Sequence, residues 1–429
     1  MLDIKFIREN TDRVKQAVTL KKKKVDIDQL LLFDDQRKSL QHQIDTLKNE
    51  QKKYWKDHIE QAKKIKEQIT VLETEQKVVE QKIDEIAREV PNIFSDDTPI
   101  GKDESENKVI RKWWEIPNFN FPIKDHEELA VKLGILDKEK ASQISGSRFA
   151  YFKGDMVFLE LAIIQYTFSL LTSEEKLEEL IKKNNLNISA KPFIPVFPPI
   201  FMNMTVMDRM ARLQPMEERY CLREDNLVLI GSAEHTLGPL HMDEIIDEKM
   251  FPIRYVGFSP SFRREAGSYG KDVKGILRMH QFDKIEMESF CLPENSIEEQ
   301  NLFVAAQEEL VQWLELPYQV VQICTGDMGW PDYRQIDIET YIPSQKKYRE
   351  THTADLMTDY QARRLNTKVK RTNGSLDYVH MNDATAFAIG RIIVAILENY
   401  QQADWSIQIP QALQKYMGKE KISPIFLSS

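Results

Sequence analysis

The chain has 429 residues, 41% hydrophobic and 30% charged, with a formal net charge of −9. That length accommodates two domains, one of them large, and the composition fits a soluble globular protein with some long exposed helix. The acidic balance excludes general attraction to nucleic acid, so such a partner needs locally basic surface, and three cysteines (Cys221, Cys291, Cys324) without CxxC spacing exclude a disulfide framework or a cysteine zinc site.

The N-terminus, MLDIKFIRENTDRVKQAV, is charged throughout and has no signal-peptide core. No apolar run approaches the roughly 18 residues that span a bilayer, so the expected compartment is the cytoplasm, with no membrane partner. Residues 1 to about 27 read as one short amphipathic helix, with Asn10-Thr11-Asp12 offering capping side chains, then a basic connector, LKKKKVD. The lysine run 21–24 reads as a solvated face or a phosphate contact.

From Val25 to Val90 there is neither proline nor glycine, which predicts long helix. Ile65, Ile69, Leu72, Gln76, Val79, Ile83 and Ile86 recur at alternating spacings of four and three, a heptad seam with one polar member. Phe33, Leu40, Ile44, Leu47 and Tyr54 give a looser matching stripe, and Lys56-Asp57-His58 is the candidate reversal. Two antiparallel helices over about 28–90 would project roughly 40 Å at 1.5 Å per residue. The half near the reversal is rich in lysine (Lys48, Lys52, Lys53, Lys56, Lys63, Lys64, Lys66), which favours a phosphate backbone. A dimerising coiled coil or a spacer satisfies the apolar pattern equally well.

Pro91, Pro99 and Gly101 end the helix, and the domain boundary falls near 105–112, giving 1–108 and 109–429. Residues 154–183 read as helix with Phe158, Leu161, Ala162, Gln165 and Tyr166 on one face, and Thr172 to Ala190 as a surface insertion. KPFIPVFPPIFMN (191–203) is a short apolar strand interrupted by prolines, which suits an edge. The densest charge lies in FSPSFRREAGSYGKDVKGILRMHQFDKIE (258–286). Apolar residues at its ends (Phe258, Phe262, Ile276, Leu277, Met279, Phe282, Ile285) suit strands. Glu265 to Gly275, with three glycines, reads as a mobile loop. Arginine forks on such a hairpin suit a polyanion, and a solvated hairpin is the plainer alternative.

The stretch FRREAGSYGKDVKGILRMHQFDKIE resembles motif 2 of the class II aminoacyl-tRNA synthetases, most closely the seryl-tRNA synthetase family. GSAEHTL (231–237), YRETHTADLMTDYQARR (348–364) and AIGRIIVAILENYQ (388–401) agree with that family in the same order, as do the helical arm and its exit. KPFIPVFPPIFMN resembles motif 1, the dimer-building strand, around Pro199. The resemblance covers essentially the whole chain. It implies an α+β fold: a class II antiparallel sheet flanked by helices, preceded by a long antiparallel coiled-coil arm. It implies a homodimer that joins serine to tRNA(Ser), and also to tRNA(Sec), using ATP and Mg²⁺, with Lys48, Lys52, Lys53, Lys56, Lys63 and Lys64 on the tRNA.

By the same resemblance Arg263 binds the α-phosphate, Arg264 stands beside it, Glu265 reads the adenine amino group, Phe282 stacks on adenine, and Arg391 contacts the γ-phosphate. Glu339 and Glu350 become the magnesium and ATP carboxylates, with Thr351, His352 and Thr353 lining the ATP site. Arg263, Glu350 and Arg391 are the implied catalytic set. Ser232, Ala233, Glu234, Arg263, Glu286 and Thr385 are the implied serine contacts. A site built to bond a hydroxyl rejects analogues lacking it, so no editing segment is required.

Departures from the family pattern fall at the amino-acid end. Ser232 replaces threonine and Thr385 replaces serine, each keeping a hydroxyl. The family's Ile-Ser-Ser-Cys-Ser-Asn becomes Thr351 to Leu356, and its Asn-Gly-Ser becomes Asp383-Ala384-Thr385. His352 and Asp383 thus bring ionisable groups, which either tune the pocket or pair with each other. His235 and His241 are too far apart for a helical metal pair, and neither GxxxxGK nor GxGxxG occurs. Two other readings remain: a paralogue that activates an amino acid for a carrier protein, and a non-catalytic RNA-binding homologue. The long arm speaks against the first; Arg263, Glu350 and Arg391 speak against the second.

Overall fold

The computed structural model describes residues 1–54, 59–266 and 274–424. The expected reversal at Lys56-Asp57-His58, and Gly267, Gly270, Lys271 and Asp272 of the charged loop, lie outside the described residues.

The first 20 residues form two helices rather than the expected one, α1 (Ile4–Glu9) and α2 (Thr11–Leu20). Asp3 caps α1 through Lys5 N at 2.7 Å. Asn10 ends α1 by donating back to Phe6 O, so its side chain does not cap α2. The lysine run is not uniformly solvated either. Lys21 is buried and donates to the Asp332 carbonyl at 2.5 Å, and burial lowers its pKa to about 7.

The breaker-free stretch forms α3 (Ile27–Tyr54) and α4 (Ile59–Glu89). Their seam buries Ile44, Ile65 and Ile69, with Leu47, Tyr54 and Leu72 packed on it. The polar seam residue Gln76 donates to Gln41 Oε1 at 2.9 Å, a partner that fixes register between the helices. At the base, Ile7, Val14, Ala17, Leu30, Ala87 and Val90 share one core with Tyr360. The Tyr360 hydroxyl donates to Val90 O at 2.7 Å.

The rest is built on β1 (Lys108–Trp113), β2 (Ile194–Val196), β3 (Ile253–Phe262), β4 (Gln281–Cys291), β5 (Tyr318–Gln322), β6 (Arg334–Ile342), β7 (Lys347–Thr358) and β8 (His380–Ala388). They form one sheet in the order β1-β5-β6-β7-β8-β4-β3-β2, antiparallel except for the β2–β3 pair at the edge. The charged hairpin is thus β3 and β4, and Ile276, Leu277 and Met279 are buried between them outside either strand. Helices α5 (Asp155–Leu171), α6 (Glu174–Lys183), α7 (Ser296–Trp313) and α8 (Ile389–Asn399) supply the main core. From α7, Gln307 donates to Thr353 O at 2.6 Å and Thr385 O at 2.8 Å, which joins the helix to β7 and β8.

The predicted helix 154–183 is two helices bent by 74° at Thr172–Ser173. The buried face of α5 carries Met156, Leu159, Ile163, Tyr166 and Leu170, whereas Phe158 and Leu161 are exposed. Nor is 172–190 a mere surface insertion. Leu177 and Leu180 lie in the main core. Arg254, wholly buried on β3, donates to Ser189 O at 2.9 Å and forks onto Glu299 of α7 at 2.7 and 2.9 Å. Breaking such a pair strands a buried charge. We expect Glu299→Gln to lower unfolding free energy by about 3–5 kcal/mol in denaturant titration.

Candidate active site

The face of the sheet away from α7 holds a cavity of roughly 190 Å³ whose walls come from β4, β7, β8, the hairpin and the start of α8. It is lined by Glu234, Arg263, Glu265, Phe282, Glu350, Thr353, Thr385 and Arg391, all expected site residues. The strand registers explain how these meet. In an unbroken strand Glu350 and Thr353 face opposite ways. Between the β6–β7 pairs Ile338–His352 and Glu339–Glu350, Thr351 is an extra residue. This bulge puts Glu350, Thr353 and Asp355 on one face. A matching shift at Ala386 on β8 lets Thr385 and Ala388 both reach the cavity.

At the phosphate-like end, Arg263 Nε donates to Gly231 O at 3.1 Å, and its guanidinium lies 5.4 Å from the Phe282 ring centroid. Arg391, in the first turn of α8, donates to Glu350 O at 2.8 Å and Oε1 at 2.9 Å. Arg278 Nε meets Glu265 Oε2 at 2.5 Å. Burial would raise Glu350, but Arg391 and then Arg263 hold its carboxyl below the usual range.

Beneath the floor, Ser232 Oγ donates to Glu286 Oε1 at 2.6 Å, and Lys284 forms an ion pair with the same carboxylate. Thr353 and Thr385 share a hydroxyl–hydroxyl bond of 3.1 Å, and Thr385 Oγ1 lies 3.4 Å from Glu286. Burial pushes Glu286 up. Glu234 goes the other way: burial alone would raise it, but Arg212, then His235 and Lys284, hold it well below its ordinary value.

Several expected contacts stand elsewhere. Thr351 and His352 do not line the cavity: Thr351 Oγ1 bonds Thr340 and His352 Nδ1, each at 2.8 Å, and the His352 ring packs 5.0 Å from Phe387. Burial lowers His352 to about 3, so it is neutral. His352 and Asp383 do not pair with each other, because Asp383 Oδ2 accepts from Arg212 Nη2 at 3.2 Å. Ala233 is buried against Gly257, and Arg264 lies over the Tyr220 ring at 5.8 Å. Glu339 is directly opposite Glu350 in register and accepts from Gln319 at 2.6 Å. Lys48 pairs with Glu73 at 2.8 Å on the arm, where Lys52, Lys53, Lys63 and Lys64 are exposed; Lys56 lies outside the described residues.

Four residues lining the site are given no individual role by the sequence: Arg212, Lys284, Asp355 and Arg278. Lys284 and Arg278 belong to the charged hairpin, and Asp355 to a motif departure. Arg212 lies in MARLQPMEER, where nothing in the pattern distinguishes it.

The arginines, carboxylates and stacking ring on a bulged antiparallel sheet define the catalytic core of a class II aminoacyl-tRNA synthetase. Residues 217–400 match the family model "tRNA synthetase class II core domain (G, H, P, S and T)", and residues 1–94 match "Seryl-tRNA synthetase N-terminal domain". The chain is 39% identical over 440 residues to the serine–tRNA ligase of Dictyoglomus turgidum, covering 99% of this chain and 100% of that one. It is 35% identical over 436 residues to that of Nitrosopumilus maritimus, covering 98% and 100%. Among solved structures, seryl-tRNA synthetase from Pyrococcus horikoshii complexed with ATP superposes with a TM-score of 0.90 at 36% identity, covering 99% of this chain and 100% of that one. The chain belongs to the seryl-tRNA synthetase family.

Since the His352 ring is turned from the cavity, His352→Ser is expected to change KM for ATP and amino acid by less than about twofold. Its cost should appear in thermal stability instead, and steady-state kinetics beside a melting curve checks both.

Proposed function

We propose that the chain joins serine to tRNA(Ser), and to tRNA(Sec), by way of a seryl-adenylate. The joining of serine to tRNA is the activity named for its full-length relatives, and the pocket carries groups for both halves of the reaction. The observation that carries this reading is that one cavity gathers Arg263, Glu350 and Arg391 with Glu234, Thr353 and Thr385, the bulged register bringing Glu350 and Thr353 onto one face.

ATP lies with its adenine on Phe282 and its amino group at Glu265; Arg263 takes the α-phosphate and Arg391 the γ-phosphate. Serine's ammonium faces Glu234, and its hydroxyl meets the Thr385–Thr353 pair, with Glu286 and Ser232 beneath. The serine carboxylate attacks the α-phosphorus and pyrophosphate leaves; the tRNA 3′-terminal hydroxyl then attacks the carbonyl carbon of the mixed anhydride, forming the ester as AMP leaves. Positioning and charge neutralisation carry the first step, because little covalent chemistry is left to the protein. Glu339 and Glu350, opposed in register, offer the oxygen ligands a hard cation takes, and Glu339 is raised by burial with Glu350 adding to it, a penalty a cation relieves. Mg²⁺ held there with ATP supplies charge neutralisation on the phosphates.

Residues 1–108 form the tRNA-holding arm and 109–429 the catalytic domain in this reading. The exposed lysines near the arm's end suit a phosphate backbone. A homodimer is supported by exposed apolar side chains in the Pro199 segment: Ile194, Phe197 and Phe201. Among the described residues no single helix is long and apolar enough to cross a membrane. The compartment in this reading is the cytoplasm, where tRNA is charged.

Amino-acid-dependent ATP–pyrophosphate exchange across all twenty amino acids tests the reaction. Exchange is expected with serine alone and none in Arg263→Ala, whose melting curve should match the parent's. Exchange with alanine, glycine or threonine in place of serine overturns the substrate, and normal exchange in Arg263→Ala removes that residue from its role.

A chain lacking residues 30–88 is expected to keep serine activation and lose most tRNA charging. Equal loss of both steps would make the arm structural.

A further inference from the structure

The base of the pocket holds more acid than it neutralises. Asp355 of β7, Asp383 of β8 and Glu288 of β4 are directly opposed on three neighbouring strands, and burial pushes all three up, with the neighbouring carboxylates adding to it. Oxygens of all three have no hydrogen-bond partner among the described residues. Arg212 meets this row from the loop after the short helix Met204–Arg209. Its Nη2 donates to Asp383 Oδ2 at 3.2 Å, and its Nε lies 3.1 Å from Glu234 Oε1, an ion pair without hydrogen-bond geometry. The side chains of Arg212 and Glu234 are 17% and 13% exposed, and both line the cavity. The loop is tied in place where Arg219 Nε donates to Arg212 O at 3.0 Å.

We propose that Arg212 is a positioning residue of the amino-acid subsite, clamping the Glu234 carboxylate against Asp383 so that it faces the substrate ammonium. The planar guanidinium suits the task, because it bonds Asp383 at one edge and sets its charge against Glu234 at the other, which an ammonium on a flexible stem does less well. Asp383 stands where the family has a neutral side chain, and it gives the second edge of the fork an anchor. In this role Arg212 acts through Glu234.

This inference rests on the reading of Glu234 as an amino-acid contact, so the test begins with Glu234→Gln. In pyrophosphate exchange that variant should raise KM for serine with KM for ATP unchanged; a parental serine KM there removes the reading itself. Arg212→Met alone removes the cation between Glu234 and Asp383 and should melt lower. Adding Asp383→Asn should restore much of the melting temperature yet leave KM for serine raised about tenfold or more, with KM for ATP within about twofold of the parent. If Glu234→Gln raises the serine KM but the double variant has the parental value, Arg212 only neutralises Asp383 and the proposal falls. It falls equally if the serine and ATP constants rise in step. Arg212→Lys, which keeps the charge, covers the case in which the methionine chains do not fold. An intermediate rise in serine KM supports the clamp, and a parental value overturns it.

Discussion

Side-chain parity along three neighbouring strands governs this site. A strand offers alternate residues to each face, so one extra residue hands the following positions to the other face. The bulge at Thr351 brings Glu350 onto the face of Thr353 and Asp355, while Thr351 and His352 turn from the cavity. The shift at Ala386 does the same for Thr385 and Ala388. Gln307 of α7, donating to the carbonyls of both Thr353 and Thr385, bonds the two strands at the level of the pocket. Burial of those carbonyls without partners would oppose the same register.

The second constraint is electrostatic. Acidic groups crowd the floor, and their environments drive them apart. Glu234 stays ionised under Arg212, while burial pushes Asp355, Asp383, Glu286 and Glu288 upward. One carboxylate thus keeps its charge at the cavity wall while burial opposes charge on its neighbours. At the other end the balance reverses, with Arg263 and Arg391 converging on Glu350.

Arm and catalytic part are joined by buried polar contacts as well as apolar packing. Asn92 donates to the carbonyls of Pro331 and Met357, each at 2.9 Å, and Lys21 reaches the Asp332 carbonyl. The Asp332 side chain lies within the electrostatic reach of Arg212 and Lys21, which places the arm's connector one charged residue from the pocket floor. The 21–24 run thus divides its labour: Lys21 is structural, while Lys22 donates to Gly326 O at 3.0 Å near the surface.

The sequence by itself determined the elements whose signal is local. Breaker-free periodicity specified α3 and α4 and their seam, down to the lone Gln76; charge and glycine marked the hairpin; and motif residues named about half of the cavity lining. Those signals survive because helix period, turn chemistry and residue type act over short stretches. What only the tertiary structure decided depends on partners distant in the chain. The core face of α5 is set by what packs on it, so Phe158 and Leu161 lie outside although they share an apolar stripe with Tyr166. The Thr172–Ser173 bend carries no proline or glycine; Ser173 caps α6 there through Lys176 N, and packing then takes Leu177 and Leu180 into the core. His352 and Asp383 both sit in motif departures, yet register sends one behind the sheet and gives the other to Arg212, a partner 171 residues away that no local pattern distinguishes.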